Sequence, residues 1–185
     1  MTTAIDKTWQ VRLAGIFFLA AFLAYGFGMN LAVGSRGLKL FAGVGLMLLN
    51  SLIVAAIGTL LFDALQRVRP WVAWIYQIAR FGEAALLGMG AVFLLKAGLR
   101  ENMLVYNLGM AVLAVGSLFF CGLLYRTRMA PRVIAAWGFI GYTLLLAGIV
   151  AEFFGLPYGI ILSLPGGFFE LVFGVWLIVK GLRTT

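Results

Sequence analysis

Long apolar stretches of about twenty residues alternate along this chain with short clusters of charge. Twenty apolar residues is the length a helix needs to cross the hydrocarbon core of a bilayer. Helices are favoured there because, in lipid, each backbone N–H and C=O must find its partner inside the segment. The pattern predicts spanning helices over 13–33, 39–62, 71–96, 102–125, 131–154 and 158–180. The expected fold class is therefore all-α: a polytopic transmembrane bundle of about six helices, forming a single integral membrane domain over residues 1–185. The first run follows Lys7 and Arg12 as a signal sequence would, but it continues to about Val33 and lacks a small-residue cleavage site. It reads as a spanning helix instead.

The charge between the runs sets an orientation. Cytoplasmic ends collect Lys and Arg. An inside N-terminus puts Lys7, Arg12, Arg67, Arg69, Arg126, Arg128, Arg132, Lys180 and Arg183 on the cytoplasmic face, against Arg36, Lys39, Lys96 and Arg100 outside. Both termini are expected in the cytoplasm, and the protein in the cell membrane as a multi-pass chain. Trp9, Trp71, Trp74, Trp137 and Trp176 all fall in the cytoplasmic half of this arrangement, which suits indole's preference for the interface. The loop from Tyr125 to Arg132 gathers Arg126, Arg128 and Arg132 at that surface, where anionic headgroups attract basic residues. These three are the expected headgroup contacts, and Pro131 suits the first turn of the helix that follows.

Composition narrows the function. The 185 residues are 64% hydrophobic and 11% charged, more apolar than a soluble core can absorb. A net charge of +8 is compatible with nucleic-acid binding, but the basic residues lie between apolar runs and not along one face. No nucleic-acid partner is expected. Cys121 is the single cysteine and histidine is absent, which removes an intrachain disulfide and the commonest haem, zinc and copper ligand. No cofactor and no metal site is expected; the partners implied are membrane lipids and a small or lipid-like ligand.

Small residues at four-residue spacing mark helix contact faces in lipid. Ala20, Ala24 and Gly28 form such a stripe, and Gly43, Gly45, Gly88, Gly90, Gly138 and Gly141 read the same way.

Against this background three residues stand out. An ionisable group at the centre of a spanning helix costs about 2.5–3.5 kcal/mol on insertion scales, so it needs a partner or a purpose. Arg80, Glu83 and Glu170 lie deep within predicted spans. Arg80 and Glu83 are three residues apart, on one face and within ion-pair reach, and Tyr76 and Gln77 extend that polar face. Glu170 follows Ser163-Leu164-Pro165-Gly166-Gly167, where proline removes a donor and glycine loosens the helix. A kink or break is expected there, with Glu170 in the first turn of a restarted helix, favoured by its dipole. Asn50, midway along the second span, adds an amide to the cluster, and Glu152 reads as a solvated rim residue. Two acids face one arginine, which predicts that Glu83 or Glu170 carries a proton part of the time.

Several segments carry a family likeness. "GLLYRTRMAPR", a helix with "WGFIG", a late proline and "FELVFGVWLIVKGL", together with "YQIARFGEAALL" in the third span, make the chain from Asn50 onward similar to a bacterial family of uncharacterised six-helix integral membrane proteins, a domain of unknown function of the 4386 type. Thr127 stands where that resemblance leads one to expect serine. The resemblance implies a six-helix membrane bundle and brings no catalytic residue or substrate.

Three readings of the polar cluster follow. In the first, Arg80, Glu83, Glu170, Tyr76 and Asn50 form a mid-membrane site that binds or transports a small or lipid-like ligand. In the second, they are an interhelical clamp in a structural or partner-binding subunit. The third is an intramembrane lipid-modifying enzyme with Glu83 and Glu170 as acid and base, although no nucleophile motif such as G-x-S-x-G accompanies them.

Overall fold

The computed structural model describes residues 8–96 and 98–183; Lys7, among the charges counted for orientation, lies outside them. The described residues form six α-helices and no strand: α1 (Thr8–Ala32), α2 (Leu38–Gln66), α3 (Pro70–Lys96), α4 (Leu99–Thr127), α5 (Arg132–Phe153) and α6 (Gly159–Val179). Each is long and apolar enough to cross a membrane. The shortest, α6, has 21 residues and at 1.5 Å per residue is about 32 Å long, just over the thickness of a hydrocarbon core. Some helices run past their apolar stretches, α1 beginning at Thr8 and α2 ending at Gln66. Backbone pairing continues into the interface, where charged and indole side chains are wet.

Each helix packs on its neighbours in the chain, and α1 also packs on α6, so the six close into a ring. Successive helices run antiparallel. The five tryptophans therefore gather towards one end of the ring with the α2–α3 and α4–α5 loops. Close approach depends on glycine at a few points. A Cβ on Gly43 would lie 2.6 Å from the Gly28 carbonyl oxygen, and one on Gly141 would lie 2.8 Å from the Gly166 Cα. Gly45, also expected at a contact, has nothing within 4 Å and faces outward.

The expected break in the last helix is not found. α6 runs unbroken from Gly159 to Val179 with Pro165 inside it. Gly166 seats α6 against the backbone of α5 at Gly141, and a packed neighbour of this kind lets a spanning helix tolerate proline. The Pro-Gly-Gly sequence serves helix contact. Glu170 consequently lies mid-helix, far from any helix N-terminus.

An aromatic layer fills the ring at the tryptophan end. Tyr76 stacks on Phe120 with centroids 4.4 Å apart, Phe169 stacks on Phe173 at 5.4 Å, and Phe18 meets Phe173 edge-on at 5.8 Å. Below it the α4–α5 loop is held tightly. Arg128 turns the chain in the left-handed conformation at φ 58°, Met129 and Ala130 are buried, and the Arg183 N–H donates to the Met129 carbonyl at 2.9 Å.

Candidate functional site

Helix α3 carries Arg80 and Glu83 to the axis of the ring at mid-height. The i,i+3 spacing brings Arg80 Nη1 to 2.9 Å from Glu83 Oε2. Nη2 reaches across to α6, 3.4 Å from Glu170 Oε1, and Nε donates to the Tyr76 hydroxyl at 3.0 Å. All three guanidinium nitrogens are thus engaged. The guanidinium carbon also lies 5.1 Å from the Phe18 ring centroid and 5.2 Å from that of Tyr76, within cation–π range. Gly58 on α2 makes room for the side chain, because a Cβ there would come within 2.9 Å of Arg80 Cβ.

The two carboxylates are held unequally. The Glu83 side chain is 3% exposed and that of Glu170 17%. Tyr142 on α5 donates to Glu170 Oε1 at 2.7 Å, on the same oxygen that Arg80 approaches.

Beyond the cluster, away from the tryptophan end, lies a cavity of about 190 Å³. Arg80, Glu83 and Glu170 form its charged side, Asn50 and Ile57 contribute from α2, and Phe18, Phe22 and Tyr25 from α1. Tyr25 stacks on Tyr106 of α4 across the ring at 5.1 Å, and both line the cavity. The Asn50 Oδ1 and Tyr25 hydroxyl oxygens are buried with no hydrogen-bond partner among the described residues. A buried polar atom left unpaired costs about 1–3 kcal/mol.

The structure therefore brings Arg80, Glu83, Glu170, Tyr76 and Asn50 together. Gln77, read as part of the same face, turns instead to α2, where its Nε2 donates to the Thr59 hydroxyl at 3.2 Å. Glu152 is partly buried and accepts from Asn107 Nδ2 at 2.8 Å, bridging α5 to α4 where a solvated rim residue was expected. The three loop arginines lie well away from the cluster. Arg126 edges a second cavity of about 370 Å³ between α4 and α5, lined also by Cys121, Tyr125 and Phe139. Arg132 places its guanidinium 5.3 Å from the Tyr125 ring centroid, and Arg128 is exposed at the end of α4. The larger cavity offers apolar surface and one peripheral charge, whereas the smaller has convergent charges and unpaired polar atoms. Specific recognition needs the latter.

Sequence reasoning missed Tyr142, Phe18 and the Tyr25–Tyr106 pair. A tyrosine in the middle of the apolar α5 was a usable signal, since its hydroxyl needs a partner. Phe18 gave none, because one phenylalanine in an apolar helix looks like any other.

Residues 97–181 match the family model described as Domain of unknown function (DUF4386). The match spans α4 to α6, including the arginine loop and Glu170, while the Tyr76, Arg80 and Glu83 pattern of α3 lies outside it. Neither the curated proteins nor the solved structures include a match to this chain.

Proposed function

We propose that this multi-pass membrane protein binds or transports a small or lipid-like ligand in the central cavity. Glu170 and Arg80 form the charged floor, Glu83 and Tyr76 fix the guanidinium, and Asn50 offers an amide from the wall. The observation that carries this reading is the open side of the cluster: a partly exposed Glu170 carboxylate on a cavity that Asn50 also lines, its buried Oδ1 unpaired. A site built only for stability would be expected to bury and satisfy both. In the same reading both termini are cytoplasmic, and Arg126, Arg128 and Arg132 contact headgroups on that side.

A second reading has a specific observation in its favour. Arg80 touches both carboxylates, which suits a clamp joining α3 to α6.

Native mass spectrometry of the protein extracted with its own lipids separates the two. Adduct masses retained by the wild type and lost in Ala21→Leu, which narrows the cavity without changing a charge, are expected of a ligand site. The same spectrum from both proteins would leave the clamp as the better account.

A further inference from the structure

We infer that the occupant of this cavity is a small organic cation: a protonated amine on a compact apolar body. The inference rests on the ligand-binding reading above and specifies the chemistry of that site.

Charge is the first argument. The ionisable groups facing the cavity are Arg80 from α3, Glu83 from α3, Glu170 from α6, and the Tyr25 and Tyr106 hydroxyls from α1 and α4. One guanidinium stands against two carboxylates, and uncompensated charge is costly at mid-membrane. Three of the five Arg80 N–H groups already serve Tyr76, Glu83 and Glu170, and the carboxylates they serve stand beside the other two. An anion would also meet both carboxylates. A cation would instead restore neutrality beside Glu170, whose bonds from Arg80 and Tyr142 both end on Oε1. Oε2 is its open acceptor.

The other polar feature agrees. Asn50 is 3% exposed and its unpartnered Oδ1 is an acceptor. An ammonium group has three donors and no acceptor, so the open carboxylate oxygen of Glu170 matches it, with the Asn50 amide in the same lining. The remaining walls are apolar, and four of their residues, Phe18, Phe22, Tyr25 and Tyr106, are aromatic. Their ring faces attract a cation and their area receives an apolar body. Size sets the scale: an engineered apolar cavity of about 150 Å³ binds benzene, and this one is about 190 Å³, room for one ring with a short ammonium arm.

The test uses the full chain in phosphatidylcholine nanodiscs and three probes of one shape: benzylammonium, benzyl alcohol and benzoate. Calorimetric titration is expected to give benzylammonium binding about tenfold or more tighter than benzyl alcohol, the scale of a desolvated cation contact, and none for benzoate. Glu170→Gln is expected to erase the preference. Ala21→Leu, which keeps every charge, is expected to abolish benzylammonium binding and serves even if Glu170→Gln fails to fold. If benzyl alcohol or benzoate binds as well as the amine, and Ala21→Leu blocks it, the cation assignment is wrong and the ligand cavity stands. Should no probe bind, the cation assignment and the ligand reading both fall.

Discussion

Arg80 is enclosed at the centre of a bundle made to sit in lipid, with only 2% of its side chain exposed. What makes this tolerable is that each nitrogen has an acceptor and two aromatic rings lie against the guanidinium. Removing one member of a buried ion cluster is far worse than removing all of it, because the survivors stay charged without compensation. Arg80→Met is therefore expected to destabilise the fold by about 3–5 kcal/mol, seen as unfolding at a lower dodecyl sulfate fraction in mixed micelles. The triple variant Arg80→Met, Glu83→Gln, Glu170→Gln is expected to recover most of that loss. A triple variant no better than the single one would count against this account of the cluster. Much of the cluster was legible in the sequence, since charges inside a spanning helix must find one another and three-residue spacing pairs Arg80 with Glu83. Phe18 was not, because a helix apolar on every side carries no record of which face turns inward.

At the scale of the helices, glycine has two meanings that the sequence does not separate. It loosens a backbone, and it lets another backbone come close. Pro165-Gly166-Gly167 suggested the first and the fold uses the second: α6 stays helical while Gly166 lies against Gly141. Gly141→Ala would place a methyl 2.8 Å from the Gly166 Cα and 2.9 Å from its nitrogen. Both are backbone atoms that cannot rotate away. A loss of about 1–3 kcal/mol is expected, the usual cost of overpacking. Gly45→Ala, with nothing within 4 Å, is expected to be neutral or slightly stabilising by the same micelle assay. Equal effects at the two sites would mean that the α5–α6 contact yields more easily than the geometry implies.

For the molecule as a whole, the bilayer made the six spans readable, because its thickness fixes how long an apolar run must be. The ring was not readable: nothing in the order of the runs says that α6 returns to α1. Orientation rests on basic residues, which are more numerous at the end carrying Arg67, Arg69, Arg126, Arg128, Arg132, Lys180 and Arg183 than at the end carrying Arg36, Lys39, Lys96 and Arg100. With Cys121 replaced by alanine, a cysteine at Gln66 is expected to react with an impermeant maleimide only after cells are opened, and one at Ser35 in intact cells. Labelling in the opposite sense would invert the orientation.

Ring closure also bears on how the protein is made. Helices leave the ribosome in chain order, so α1 to α5 can pack on one another while the wall between α5 and α1 is still missing. During that interval Arg80 has no Glu170 to meet, and Glu83, one turn away on the same helix, is the counter-charge that enters the bilayer with it. The i,i+3 pair thus lets α3 be inserted nearly neutral. The second carboxylate arrives only with the final helix, as the gap closes, and the unpaired charge enters the membrane at the moment the cavity that exposes it comes into being.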